Sequence, residues 1–470
     1  MPASERPNVP GTLDADKLNN ALFVRDVNWP FILQKRHPAY NRSLASRLRK
    51  RCASWGLGCN DTLCVATTHR SVIGAAVLSS LAGGPRLVLP ASLSQTAIAA
   101  ACASLSTKFI LTSEKNSMPE GFQIISAEQV EQEDDSSPLA LERPFDDALL
   151  YLYTGGSTGR PAVWSKSIRN LFGEVAFLKE RFQINSTDVM VAAVPPFHIY
   201  GLLFSVLLPL MTGALTLDES PFYPNEIIAA LVSLKTTVFI AGPMHYKALF
   251  ENNFSLNHLR LAFSSGGFLE ESYGKHFSRC SGVGVTEVYG STETGGIAFR
   301  CRHAGEEAWS PSPVVRWRVG NDSRLAVNSH FLSRDLDRDA DGFYLTGDKV
   351  RSLGTTCFEL IGRIDGIVKV GGKRVDLAEV EAALKALPQV TDAFVLAVPA
   401  PESRENLIVA LVASEAPAEE LNRLLQTKLD AVAMPRRIVC VNRIPTTAVG
   451  KRDYRAALDL LGYSASNSQG

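Results

Sequence analysis

The sequence predicts an α/β protein with a large N-terminal α/β domain followed by a small α/β C-terminal one. Three observations carry that prediction. The chain has 470 residues, more than one ordinary core accommodates. Short apolar β-like runs alternate with helical ones along most of its length, the pattern of parallel α/β architecture. Past Asp365 the alternation restarts behind a fresh helix-capping signal and gives a second unit of about 100 residues, a usual domain size. The boundary is placed at Arg363–Asp365, so the expected domains are 1–363 and 364–470.

Residues 39–57 read as an amphipathic helix, with Leu44, Leu48 and Cys52 four apart and Arg and Lys between them. Thr62–Thr67 and Arg86–Leu89 read as strands, Ser71–Leu81 and Ser94–Leu105 as helices. An acidic, Ser/Pro-containing loop within 128–147 precedes the apolar strand Ala148–Tyr153. After residue 172 come strand Val189–Ala193, helix Gly201–Met211, strand Thr237–Ala241, helix Pro243–Glu251 and strand Leu259–Ser264. From Arg324 to Val350 the chain is β-rich, with a turn at Asp339–Gly342. The second unit opens with the short strand Val368–Val370. Asp376, with Glu379 three residues on, makes a capping-box-like start for a helix striped by Val380, Ala383, Leu384 and Leu387. Strands Ala393–Val398 and Leu407–Ala413, helix Ala418–Leu429 and strand Arg437–Val441 complete it.

Lys plus Arg and Asp plus Glu both number 48, so the net charge is zero. That balance argues against a general electrostatic grip on nucleic acid or an anionic membrane. The eight cysteines form no CxxC pair and no zinc-ligand cluster, and are expected to be buried, reduced thiols. Met1–Lys17 is polar, with three prolines and no apolar signal core. Leu202–Leu217, interrupted by Pro209 and Gly213, falls short of the ~20 residues of a spanning helix. The expectation is a cytoplasmic protein with no integral membrane segment.

Three motifs carry chemistry. Tyr151–Pro161 follows an apolar strand and holds Thr154, Gly155, Gly156, Ser157, Thr158 and Gly159, a loop whose backbone N–H groups suit phosphate oxygens. No Lys-Ser/Thr pair follows its last glycine, so it is not a Walker A loop. In Val288–Gly295 an aromatic for a base, hydroxyls for phosphate and a carboxylate for a hard cation succeed one another as Tyr289, Ser291, Thr292 and Glu293. In Tyr344–Asp348 an acid follows a tight turn and can accept hydrogen bonds from a ribose diol. Each alone is equally an ordinary turn.

In this order, with Pro196-x-His198-x-x-Gly201, Ser264–Gly267, Gly362-Arg363-x-Asp365, Lys369–Val375 and Pro445-x-x-x-x-Gly450-Lys451, they resemble the adenylate-forming superfamily of acyl-CoA synthetases, luciferases and peptide-synthetase adenylation domains. The resemblance runs from about residue 145 to 455. It implies a large multi-sheet N-terminal domain and a small, mobile α/β lid, with ATP and Mg²⁺ as cofactors. It implies that an acid is joined to AMP, pyrophosphate leaves, and the acyl group passes to CoA or an acyl carrier protein. Thr154–Gly159 then hold the β- and γ-phosphates, Thr292 the α-phosphate and Glu293 the metal. Gly267 and Tyr289 flank the adenine, Gly290 and Ser291 are counted among the ATP/AMP-binding residues, and Asp348, assisted by Arg363, takes the ribose hydroxyls. Lys451 is the catalytic lysine bridging carboxylate and α-phosphate, a fixed ammonium where two anions approach. Asp365 is the hinge, and Gly371 and Gly372 line the thiol tunnel.

Two departures stand out. The loop begins Thr154-Gly155-Gly156 where the family has Thr-Ser-Gly, and Ala162 stands where a lysine commonly follows the loop's proline. Arg160 or Lys166 is expected to supply the missing charge, Lys166 being counted with the ATP-binding residues. The departure resembles members of the aryl-polyene and xanthomonadin-type pigment branch. His198 is expected among the catalytic side chains and as a wall of the acid pocket with Tyr200, Gly242, Gly266, Gly290 and Gly295. Phe197, Tyr200 and these glycines suggest a compact, flat pocket for a hydroxybenzoate, 4-hydroxybenzoate first. A medium-chain fatty acyl ligase and a non-catalytic nucleotide-binding protein are the alternatives.

Overall fold

A computed structural model of the chain describes residues 13–24, 40–114, 118–132, 137–154, 162–363, 366–370, 373–399, 406–447, 450 and 452–463. It divides into two compact units. The first comprises the chain up to Gly155 with Pro161–Arg316 and Val327–Tyr344, the second Trp317–Ala326 and Leu345–Gly470.

The first unit contains two sheets. One has six strands, β1 (Thr62–Val65), β2 (Arg86–Leu89), β3 (Phe109–Thr112), β4 (Gln123–Ser126), β5 (Ala148–Thr154) and β6 (Ala162–Ser167), in the order β4-β3-β1-β2-β5-β6. Every neighbouring pair is parallel except the last, where β6 returns antiparallel to β5 with Thr154 opposite Ala162. The inner strands read as unbroken apolar runs because helices cover them: Leu63, Cys64, Val65, Leu87, Val88 and Leu89 are all buried. Helix Arg70–Leu81 is buried on all sides. Its Arg70 guanidinium donates to the carbonyls of Ala192, Val194, Leu217 and Asp218 and to the Ser205 and Ser220 hydroxyls, so a buried cation joins this helix to the second sheet. Helix Gln95–Ser104 begins where Ser94 caps the Ala97 N–H.

The second sheet has seven strands: β7 (Val189–Ala192), β8 (Leu215–Thr216), β9 (Val238–Ala241), β10 (Leu261–Ser264), β11 (Val285–Ser291), β12 (Gly295–Arg300) and β13 (Ser310–Pro311). Their order is β13-β12-β11-β10-β9-β7-β8, parallel from β8 to β11, with β12 and β13 antiparallel. Between the sheets in sequence runs helix Ile168–Phe182, started by a reciprocal Ser167–Asn170 capping box. The helix expected at Gly201–Met211 spans Ile199–Leu202 and Leu208–Thr212, joined by a π-helical turn, Leu203–Leu207. One face of the sheet is filled by Phe239, Tyr246, Phe277, Ile227 and Leu249, the last four from helices Pro224–Ser233, Pro243–Leu249 and Glu271–Ser281.

Most of the expected antiparallel stretch falls in the second unit, as β14 (Arg316–Val319), β15 (Arg324–Asn328), β16 (Tyr344–Leu353) and β17 (Cys357–Arg363), in sheet order, with Arg316, Val327, Asn328 and Tyr344 counted in the first. Next come the hairpin of β18 (Ile367–Val370) and β19 (Lys373–Asp376), and a sheet of β20 (Val390–Pro399), β21 (Asn406–Ser414) and β22 (Arg437–Val441). Asp376 caps helix Leu377–Lys385 through the Ala378 N–H, and Val380, Leu384 and Leu387 of the expected stripe are buried against β20 and β21. By compactness, Trp317–Ala326 and Leu345–Arg363 group with the later residues.

The thiols are all free. Cys52, Cys64 and Cys102 are buried as expected, but Cys59 is exposed and the other four are half-buried. Among the described residues no helix is long and apolar enough to cross a membrane.

Candidate active site

Parallel strands deliver their C-terminal ends to one edge of a sheet, and loops at that edge are where α/β proteins collect polar groups. In the seven-stranded sheet, neighbours β7, β9, β10 and β11 bring four of the sequence motifs to such an edge. Beyond β7 comes Pro195–Tyr200, beyond β9 Gly242, beyond β10 the Ser265–Gly267 turn, and at the end of β11 Tyr289–Thr294. The loops touch in series. The Ser265 hydroxyl donates to the Val288 carbonyl at 2.8 Å. A side-chain carbon at Gly242 would stand 3.4 Å from the Ser265 carbonyl, and one at Gly267 3.6 Å from Pro243.

The Ser291–Thr294 turn is closed on itself. The Ser291 N–H donates to Thr294 Oγ1 at 3.1 Å, the Thr294 N–H to Ser291 Oγ at 3.3 Å, and the two hydroxyls lie 2.8 Å apart. Ser291 therefore spends its hydroxyl on the turn. Thr292 and Glu293 stand half-buried on its crest, and the Tyr289 ring lies 5.4 Å from Trp309.

Beyond β7, His198 is half-buried with its ring 4.7 Å from Phe197, and its carbonyl accepts the Leu202 N–H. Tyr200 stacks 5.0 Å from Phe204. Its hydroxyl is shielded from solvent beside the Ala241 backbone without a well-formed hydrogen bond, and burial pushes its pKa well above the ordinary phenol range.

Lys166 differs from the phosphate contact expected of it. Its side chain is buried, and the ammonium donates to the carbonyls of Phe331 at 2.9 Å and Glu293 at 3.2 Å, so it lies behind the Ser291–Thr294 turn. Burial pulls its pKa down, opposed by Glu174 and Glu293. Glu174 is a residue that sequence reasoning missed. It is buried in helix Ile168–Phe182 and accepts the Gly296 N–H at 2.8 Å, and burial raises its pKa. The available signal was a lone carboxylate inside the apolar run Leu171–Leu178.

Asp348 sits half-buried on β16 with Arg363 as its pairing partner on β17. Thr346 of the same motif is buried and gives its hydroxyl to the Leu325 carbonyl. Gly155, Gly156, Ser157, Thr158, Gly159, Arg160, Asp365, Gly371, Gly372 and Lys451 lie outside the described residues. Thr154 ends β5, so the phosphate loop starts from a hydrogen-bonded strand end.

His245 was also missed. It is buried and its Nδ1 accepts the Gly242 N–H at 3.0 Å, which fixes the start of helix Pro243–Leu249. An accepting Nδ1 must be unprotonated, and burial holds the imidazole pKa down from 6.5 to about 4. Its stabilising contribution is complete above pH 6.5 and falls away toward pH 4, because the unfolded chain takes up the proton first. That loss amounts to about 3 kcal/mol. Urea unfolding from pH 7 to 4 should show wild type losing more stability than His245→Gln. Parallel curves for the two proteins would remove the assignment.

Comparison with known proteins agrees with this architecture. Residues 67–326, more than half of the chain, match the family model described as AMP-binding enzyme, and residues 379–451 match the AMP-binding enzyme C-terminal domain. The chain is 26% identical to a 4-chlorobenzoate–CoA ligase of an Arthrobacter species, over 69% of this chain and 68% of the relative. It is 24% identical to a 3-hydroxybenzoate/4-hydroxybenzoate–CoA ligase of Thauera aromatica, over 67% of each. ATP-bound MatB from Rhodopseudomonas palustris superposes with a TM-score of 0.79 at 20% identity, covering 95% of this chain and 99% of MatB. MenE from Bacillus subtilis, in complex with ATP and magnesium, gives 0.74 at 20% identity, covering 88% and 93%. The chain belongs to the adenylate-forming superfamily of AMP-binding enzymes, and its kind of enzyme is the acid–thiol ligase.

Proposed function

We propose that this enzyme joins an aryl carboxylic acid, 4-hydroxybenzoate first, to the AMP moiety of ATP, releases pyrophosphate, and passes the acyl group to the thiol of CoA or an acyl carrier protein. The observation that carries the reading is the convergence of His198, Tyr200, Gly242, Gly266, Gly267 and Tyr289–Gly295 on one edge of the seven-stranded sheet. In the first step a carboxylate oxygen bonds to the α-phosphorus as the bond to pyrophosphate breaks. Two anions must meet, so fixed positive charge and aimed hydrogen bonds do most of the work. Lys451 supplies the charge that bridges them. Thr154–Gly159 hold the leaving phosphates, Thr292 the α-phosphate, Gly267 and Tyr289 the adenine, and Asp348 with Arg363 the ribose.

Glu293 is the residue for Mg²⁺. The described residues contain no group of three or more His, Cys, Asp or Glu able to hold a metal. A lone, half-buried carboxylate suits a hard cation that completes its shell with nucleotide phosphates. Held by Glu293, the cation would supply positive charge to the nucleotide phosphates. For the second step, rotation about Asp365 of a lid spanning 364–470 withdraws Lys451 and brings Gly371 and Gly372 to the thiol. A cytoplasmic role in aryl pigment synthesis fits this chemistry and the form of the phosphate loop.

The aryl choice rests on Tyr200. A buried hydroxyl without a good partner costs about 1–3 kcal/mol until something pairs with it, and a phenol at the far end of one ring can do so. The names of the benzoate–CoA ligases among the relatives support the same choice. A fatty-acid channel along Ile199–Thr212 is less favoured, since Leu202, Leu203, Val206 and Leu207 are already buried in the core. In a pyrophosphate-release panel, 4-hydroxybenzoate should exceed benzoate by roughly tenfold, and octanoate and longer acids should be inert. His198→Ala should loosen that selectivity before it abolishes ATP use. Decanoate outperforming every benzoate would sink the aryl reading in favour of a fatty acyl ligase.

A further inference from the structure

Lys166 and Glu174 are two opposite charges that the reaction itself does not use. Both are buried, and both spend their polar atoms on one short stretch of backbone. Lys166 projects from β6, the strand that leaves the phosphate loop, and its ammonium holds the Glu293 and Phe331 carbonyls together. The Glu293 carbonyl also accepts the Ser333 N–H at 2.8 Å. Glu174, one helix turn past the Ser167–Asn170 cap, accepts the Gly296 N–H. The facing segment is pinned from the same two elements. Asp335 accepts the Ser165 N–H at 3.0 Å and the Ser165 hydroxyl at 2.5 Å, while Asn170 donates to the His330 and Leu332 carbonyls at 2.7 and 3.0 Å.

We propose that Lys166 and Glu174 are positioning residues that hold the Glu293 turn from behind, Lys166 at its metal-bearing residue and Glu174 at its far end. The inference rests on the reading of Glu293 as the metal carboxylate. The physical need is plain. Glu293 stands on a short turn closed by Ser291 and Thr294, and a carboxylate that meets a cation is only as well placed as its backbone. Buried charges are costly unless paired and hydrogen-bonded, so two of them aimed at one turn are a specific arrangement. They also give β6 a rigid link to that turn, so the strand that follows the phosphate loop and the residue that meets the phosphates' cation share one support.

The test uses the full chain with Lys166→Met, Glu174→Gln, the double variant Lys166→Met/Glu174→Leu, and Glu293→Gln. Without nucleotide, hydrogen exchange at the Gly296 and Ser333 amides should speed up by about tenfold or more in Lys166→Met. The Mg²⁺ concentration that half-saturates pyrophosphate release should rise about 10- to 100-fold, while the KM for the acid stays within about twofold. Glu174→Gln keeps an acceptor for Gly296 and should change both readouts less. If Lys166→Met does not fold, the double variant, which carries no uncompensated buried charge, takes its place with the same expectation. Normal exchange and normal Mg²⁺ dependence in a folded variant lacking Lys166 overturn the proposal. If Glu293→Gln leaves Mg²⁺ dependence unchanged, the metal reading fails instead, and the exchange rates alone decide whether Lys166 holds the turn.

Discussion

Lys451→Ala is expected to lower acyl-adenylate formation by roughly 10²–10³-fold, the size of losing one charge stabiliser at a transition state. Thioester formation from supplied acyl-adenylate should persist, because the proposed lid rotation removes the lysine before that step. The described residues on either side of position 451 are tied to one another. Thr446 and Arg452 form a bridge, the Gly450 N–H donates to the Thr447 carbonyl and the Asp453 N–H to that of Pro445. Arg452 reaches Asp392 at 2.7 Å and packs its guanidinium over the Phe394 ring, and Asp453 caps helix Tyr454–Leu461. Separate assays of pyrophosphate release and of thioester formation measure the two steps. Equal loss in both would show that Lys451 acts as general scaffolding.

The parallel sheets were legible because their strands are short apolar runs with helical runs between them, and β1, β2, β7, β9 and β10 start within a residue or two of their expected positions. The antiparallel return β6 was not, since Ala162–Ser167 is a mixed polar strand that follows a glycine loop and gives no periodic signal. Helix Pro224–Ser233 was missed as well, although Pro224 and Glu226 mark its first turn. Within the candidate site the glycine and hydroxyl motifs could be read, because turns demand those residues locally. Lys166, Glu174 and His245 could not be placed. Charged and polar residues default to the surface in any sequence reading; the backbone partners of Lys166 and Glu174 lie up to 165 residues away, whereas His245 turns back on Gly242, three residues before it. Long-range backbone partners leave no trace in local spacing. That is why Lys166 was expected on a phosphate and is found behind the turn.

Gly295→Ala should be nearly as damaging as loss of the lysine, and for a steric reason. Gly295 has φ +70°, and a β-carbon there would stand 2.6 Å from a Glu174 carboxylate oxygen and 2.7 Å from Phe331 Cβ. Neither neighbour can yield easily, since Glu174 and Phe331 are both buried. The left-handed backbone costs about 1–2 kcal/mol for any other residue, and overpacking adds about 1–3 kcal/mol. The cheapest relief is to push the turn outward, which carries Glu293 with it. A displacement near 1 Å at a reacting group costs on the order of 100-fold in rate. Gly282→Ala is the control: its φ is +72° but nothing lies within 4 Å of the added carbon. It should lose stability through the backbone alone and keep a normal Mg²⁺ dependence. Thermal melting together with pyrophosphate release at graded Mg²⁺ separates the two variants. A folded Gly295→Ala enzyme with wild-type adenylation would mean that the turn can absorb a methyl group, and that the tight packing behind Glu293 is not what places its carboxylate.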